Sequence, residues 1–189
     1  MFSYQLFFDS LKAIIPADKE PKWRHAIFYR WRLSTQQKNW LLDSSSLTRR
    51  LHEKSQTGMS VEILIQHWAA PFLSESKLLK ISPEEHVYVR EVILKGNGKP
   101  WVFARSVIPV ETYHQVVDKL DTRPLGSLLF SDPTLKRSAI EIAKIKSKRH
   151  GLPALFSEGN TKLARRSMFT FSGKPIIVSE VFLDDFWKN

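Results

Sequence analysis

The chain has 189 residues, no cysteine and a formal net charge of +10, with 42% hydrophobic and 25% charged residues. That size and polarity suit one domain over residues 1–189 with a core of its own, and they argue against disorder as the default state. Lack of cysteine excludes disulfides, thiolate nucleophiles, thiolate zinc sites and iron–sulfur clusters.

The histidines, at His25, His52, His67, His86, His114 and His150, offer no H-x-x-x-H or H-x-H spacing, so no sequence-local metal site is expected. The opening "MFSYQLFFDSLKAIIP" lacks an early basic cluster, and Asp9 interrupts the apolar run that a signal segment needs. No span reaches the ~20 apolar residues of a membrane helix. A cytoplasmic protein without membrane insertion is expected. Positive charge attracts nucleic acid, anionic surfaces or small polyanions alike, and by itself does not choose among them.

In chain order, residues 1–15 and 22–42 are read as helical or mixed, the second because Trp23, Ile27, Trp31 and Leu33 recur at nearly helical spacing. "DSSSLTRRLHEK" supplies Asp43 and three serines as caps for a short helix from Leu47 to Glu53. "MSVEILIQHWA" is apolar and β-branched, which predicts a strand ending at Pro71. Two further runs flank "KGNGKP" as a hairpin. "PVETYHQVVDKL" is a helix entered at proline, and "PLGSLLFSDP" a loop with a short apolar helix or turn. In the basic stretch "LKRSAIEIAKIKSKRHGLPALFSEGNTKLARRS" only the first part has helical periodicity, and the later part is a long connection around 144–162. A last hairpin pairs "RRSMFTF" with "PIIVSEVFL" across "SGKP".

Both hairpins contain "GKP", and superposing Gly98 on Gly173 lays Arg90 over Arg165 and Arg105 over Glu180. An internal duplication and a chance match of a short turn both account for this. Either way, short turns imply antiparallel pairing.

Three charges sit on apolar strand faces. Glu180 shares a face with Ile176, Val178 and Phe182, Arg90 with Tyr88, Val92 and Leu94, and Arg105 with Trp101, Phe103 and Val107. Burying such a carboxylate unpaired costs several kcal/mol, so a cation or a ligand hydroxyl should meet Glu180. The residues leave two readings open: a structural ion pair within the sheet, or a pocket in which an arginine fork holds a carboxylate and the glutamate accepts from a hydroxyl. "GNGKP" lacks the third glycine and the following helix of a dinucleotide site, "KIKSKRH" reads as a solvated basic face, and no G-x-S-x-G elbow supports a hydrolase triad.

The blocks "REVILKGNGKPWVFARSVIP", "RPLGSLLF", "IEIAK" and "ARRSMFTFSGKPIIVSEVFL", in this order, resemble the bacterial chorismate pyruvate-lyase family over roughly residues 40–183. The resemblance implies an α+β fold, with one antiparallel sheet carrying helices and helical flaps that enclose an internal site. It implies conversion of chorismate to 4-hydroxybenzoate and pyruvate without a cofactor, as the first step of ubiquinone biosynthesis. By the same resemblance Arg90 binds the ring carboxylate, Glu180 meets the ring hydroxyl and Leu125 gives backbone contacts. Leu47 is the flap residue, where relatives often carry methionine, and Arg105 joins the polar cluster. Partners are then chorismate and 4-hydroxybenzoate, with no nucleic acid, and a monomer is expected. Two rivals belong to other classes: a non-catalytic sensing domain of the same fold, and a basic nucleic-acid-binding protein.

Overall fold

A computed structural model describes residues 20–120, 125–146 and 161–188. Along these run β1 (Arg24–His25), two 3-10 turns, α1 (Thr35–Leu41), α2 (Leu47–Lys54), β2 (Met59–Ala69) and α3 (Leu73–Leu79). Then follow β3 (Val87–Gly96), β4 (Lys99–Ile108), α4 (Val110–Leu120), α5 (Leu125–Leu129), β5 (Lys136–Arg137) and β6 (Glu141–Ile145). The chain closes with β7 (Lys162–Phe171), β8 (Lys174–Phe182) and α6 (Asp184–Trp187). One sheet runs β1-β6-β7-β8-β4-β3-β2 with β5 beside β7, and each pairing is antiparallel, which makes the fold α+β.

Both hairpins turn on two residues with positive φ, 52° and 74° at Asn97 and Gly98 and 48° and 81° at Ser172 and Gly173. Two successive left-handed residues give the turn whose twist matches that of the flanking strands. From Ser172 and Gly173 the ladder β7–β8 runs without interruption and sets Arg165 opposite Glu180. The other ladder does not. Its register shifts between Leu94 and Lys95, leaving Trp101 as an extra residue, so Arg90 pairs with Ser106 and Arg105 with Glu91. A bulge of this kind reverses which side chains face which way beyond it. Trp101 is fully buried over Gly96, where an added Cβ would stand 2.2 Å from the indole, so only glycine fits there.

Each face of the sheet has its own core. Against one face pack Leu41, Leu47, Leu51 and Phe186, meeting Val92, Leu94, Val102 and Phe182, while Leu125, Leu129 and Val116 meet Phe169 and Ile176. Phe186 stands edge-on to Trp40 and Phe182, which fastens α6 and α1 to the same side. Opposite lie Ile93, Phe103 and Val181, and Val89, Val107 and Ile177 under Leu79 of α3.

Several sequence expectations require correction. Residues 22–42 are mixed, with a short strand, 3-10 turns and one α-helix, but the expected apolar stripe fails, since Trp31 is 91% exposed and Ile27 60% exposed. "LKRSAIEIAK" forms strands β5 and β6 rather than a helix, because β7 offers a free edge on which Ile142, Ala143 and Ile145 are buried. Helix α3 carried no strong cap signal; its first amides are met by Glu20, which accepts from the N–H of Leu73 at 2.8 Å and of Ser74 at 3.0 Å from 53 and 54 residues away. The segment read as helical or mixed at 1–15 and most of the long basic connection lie outside the described residues.

Candidate active site

Over the face of β3, β4, β8 and β7 lies a cavity of about 520 Å³, its open mouth included. The sheet contributes Arg90, Ala104, Ser106, Glu180 and Arg165, and the roof is made by Leu47 and Thr48 at the start of α2 and by Leu125 and Gly126 at the start of α5. Ser46 caps α2 through its hydroxyl, which accepts from the N–H of Arg49 at 3.4 Å, so the first turn of that helix is pinned where it covers the cavity. The two roof helices touch closely at Gly126, where an added Cβ would lie 2.7 Å from Thr48 Oγ1.

Arg90 and Glu180 reach this cavity from strands on either side of β4. Arg90 pairs with Ser106 and Glu180 with Ala104, so they are two strands apart and offset by two residues. Two interstrand spacings amount to roughly 10 Å and the offset to about 7 Å, which leaves room for a six-membered ring between the two head groups. Burial pushes the Arg90 guanidinium below its ordinary pKa, a shift that the Tyr88 phenol partly opposes.

The cation that meets Glu180 is Arg165. Its Nε donates to Glu180 Oε2 at 2.5 Å, and its Nη1 donates to the carbonyls of Trp40 at 2.7 Å and Asp43 at 2.8 Å. Arg165 is only 1% exposed, while the Glu180 side chain stays 14% exposed toward the cavity. One guanidinium thereby ties the glutamate to the loop that leads into α2. This partner was legible in principle, since the two-residue turn at Ser172 and Gly173 sets Arg165 directly across from Glu180.

Arg137 also lines the cavity, and nothing in its local sequence announced it. Its Nε donates to Ser167 Oγ at 3.0 Å, its Nη1 to the carbonyl of Asp43 at 3.3 Å, and its guanidinium lies 5.0 Å from the centre of the Phe169 ring. Burial, reinforced by the like charge of Arg165 and only partly opposed by Glu180 and Asp43, brings its pKa down to about 10.

Leu47, Arg90, Leu125 and Glu180 thus come together around one cavity, whereas Arg105 does not line it. Beyond the bulge Arg105 points to the α3 side. There it donates to Glu75 Oε1 at 2.9 Å, to Glu75 Oε2 at 3.1 Å and to Glu91 Oε1 at 2.8 Å, beneath the Phe72 ring at 4.2 Å. Burial works against this charge, yet the two carboxylates outweigh it and hold the guanidinium above its ordinary pKa.

A sequence model described as chorismate lyase matches residues 23–189. The chain belongs to the chorismate lyase family. Relatives named "Probable chorismate pyruvate-lyase" include one from Pseudomonas fluorescens, 39% identical over 79% of this chain and 80% of its own. Another, from Marinobacter nauticus, is 36% identical over 79% of this chain and 77% of its own. A third, from Thiobacillus denitrificans, is 38% identical over 77% and 81%. Among solved structures, PhnF from Mycobacterium smegmatis is similar with a TM-score of 0.54 at 11% identity, over 76% of this chain and 66% of that one. A GntR-family transcriptional regulator from Bacillus cereus gives 0.51 at 12% identity, over 67% and 92%. At such identities the likeness between this lyase-family chain and the regulators is one of fold alone. Among the described residues no helix is long and apolar enough to cross a membrane.

Proposed function

We propose that this protein is a chorismate pyruvate-lyase, releasing pyruvate from chorismate and leaving 4-hydroxybenzoate, the ring precursor of ubiquinone. The observation that carries the reading is the joint presence of Arg90 and Glu180 in one cavity, two strands apart and offset by two residues, in a chain of this family. Chorismate is a dianion with a ring carboxylate, a C4 hydroxyl and an enolpyruvyl ether at C3. Loss of the C4 proton and cleavage of the C3–O bond form the last ring double bond; the enolpyruvate leaves with the ether oxygen, takes up a proton and becomes pyruvate. Aromatisation drives the reaction.

What the protein supplies is placement and charge. Arg90 forks onto the ring carboxylate. Glu180, oriented by Arg165, accepts from the C4 hydroxyl and fixes the rotation of the ring. Leu47 and Leu125 close the apolar roof over the ring and limit access of water. Arg105, engaged by Glu75 and Glu91, holds α3 on the sheet and takes no part in binding.

The test is direct. Purified protein is mixed with chorismate without metal or nucleotide, 4-hydroxybenzoate is followed by absorbance, and pyruvate is measured independently. Equal appearance of the two is expected; no turnover above the uncatalysed rate would refute the reading.

A further inference from the structure

Among the described residues, the ionisable side chains that line the cavity are Arg90, Arg137, Arg165 and Glu180, three cations and one anion. Arg165 and Glu180 neutralise each other by direct contact. The remaining pair, Arg90 and Arg137, enters from opposite sides: Arg90 on β3, and Arg137 on β5 beyond β7. Among the described residues, the hydrogen-bond partners of the Arg137 guanidinium are uncharged, a serine hydroxyl and a backbone carbonyl. The carboxylates nearest to it are already committed, Glu180 to Arg165, and Asp43 to the N–H of Ser45 at 2.8 Å and to Arg50 at 3.4 Å. A cation drawn into a cavity wall beside a like charge, without a carboxylate of its own, is placed to receive an anion from outside the chain.

We propose that Arg137 is the second anion anchor of the site, holding the carboxylate of the enolpyruvyl side chain while Arg90 holds that of the ring. This rests on the chorismate reading above and extends it to selectivity between substrate and product. The substrate brings two carboxylates to the guanidinia of Arg90 and Arg137. After elimination, the second carboxylate belongs to pyruvate, and 4-hydroxybenzoate keeps only the contact with Arg90. Arg137 therefore contributes to affinity for the substrate and not for the aromatic product, and it stabilises charge on the departing enolpyruvate.

Equilibrium binding separates this from the reading on which it rests. At pH 7.5 the wild type and Arg137→Met are titrated calorimetrically with 4-hydroxybenzoate, with its dianionic derivative 3-(carboxymethoxy)-4-hydroxybenzoate, and with 3-ethoxy-4-hydroxybenzoate as a monoanionic ether of similar bulk. In the wild type the dianion is expected to bind about 10- to 100-fold tighter than the ethoxy compound, the worth of one charged hydrogen-bonded contact. In Arg137→Met that advantage should disappear, with 4-hydroxybenzoate affinity held within about 3-fold, which also shows that the site is folded. Arg137→Lys should keep part of it. No preference for the dianion in the wild type, or an equal loss for all three ligands in Arg137→Met, would overturn the proposal. Should the wild type bind these ligands and fail to turn over chorismate, the lyase reading falls while the assignment of Arg137 as an anion anchor is still decided by the titration.

Discussion

Arg165 and Glu180 stand directly opposite each other across the hairpin β7–β8, and the same guanidinium that meets the carboxylate also holds the carbonyls of Trp40 and Asp43. A contact within the sheet is thereby a contact with the roof. Glu180→Gln keeps an acceptor for Arg165 but removes the charge, leaving a buried guanidinium less well compensated. Its activity should fall at least tenfold and its Tm by several degrees. Arg165→Met should lower Tm further and weaken 4-hydroxybenzoate binding, because it frees Glu180 together with the end of α1 at Trp40 and the loop at Asp43. A double-mutant cycle on Tm and turnover checks the coupling, and strict additivity of the two changes would disprove it.

Arg90 and Arg105 look alike in sequence and should behave in opposite ways. Arg90→Ala should lose about 30-fold to several thousandfold in kcat/KM, the worth of a desolvated arginine–carboxylate contact of roughly 2 to 5 kcal/mol, while remaining folded. Arg105→Met leaves Glu75 and Glu91 uncompensated and should cost about 3 to 5 kcal/mol of stability, with 4-hydroxybenzoate affinity per folded molecule unchanged. Denaturant titration and ligand binding on each variant distinguish the two.

A basic limb in the pH profile should belong to Arg137. A guanidinium with its folded pKa lowered to about 10 binds fewer protons folded than unfolded above that pH. Its burial therefore costs stability in full below about pH 10, and the cost fades as pH rises through it. For the site the sign is opposite: the free enzyme loses the cation as pH rises, so kcat/KM for chorismate should drop toward and beyond pH 10. In Arg137→Met, kcat/KM should be lower at neutral pH and lack that limb, which assays from pH 7 to 10.5 will show.

The roof should govern release. Gly126→Ala sets a methyl group against Thr48 and forces α2 and α5 apart, and Leu47→Ala removes apolar volume from the same seam. Both are expected to weaken inhibition by 4-hydroxybenzoate and to narrow the gap between first-turnover and steady-state rates, with Leu47→Ala also less stable by about 2 to 4 kcal/mol. Unchanged product inhibition in both variants would mean that opening of this seam does not limit turnover.

The hairpins, the strand Met59–Ala69 and the helices over the cavity were legible because local chemistry decides them: Asn97 and Gly98 demand a tight turn, and Ser46 caps a helix wherever it lies. The α+β class came from the family resemblance, and the single antiparallel sheet bears it out. Strands β5 and β6 were not legible, because Ile140, Ile142 and Ile145 fit a helix about as well as a strand until the edge of β7 is there to receive them. Among site residues, Arg90 and Glu180 stood out as charges on apolar stripes. Arg137 sits on a two-residue strand among other basic residues and became visible only once β5 lay beside β7. Arg105 was assigned to the polar cluster by the resemblance, and strict alternation gave it the face of Trp101 because it was counted through a position where the ladder gains a residue.

That added residue, Trp101, makes the number of residues after the turn as consequential as their chemistry. Had the ladder continued unbroken from Asn97 and Gly98, Arg90 would face Arg105 and a further arginine would enter the cavity; with the bulge, a serine stands there and the arginine serves the other face. Gaining or losing a single residue in this stretch is thus an evolutionary lever that rewrites the lining of the cavity while leaving each side chain as it was. Between relatives, an arginine aligned with Arg105 is equivalent to it only where the bulge is kept.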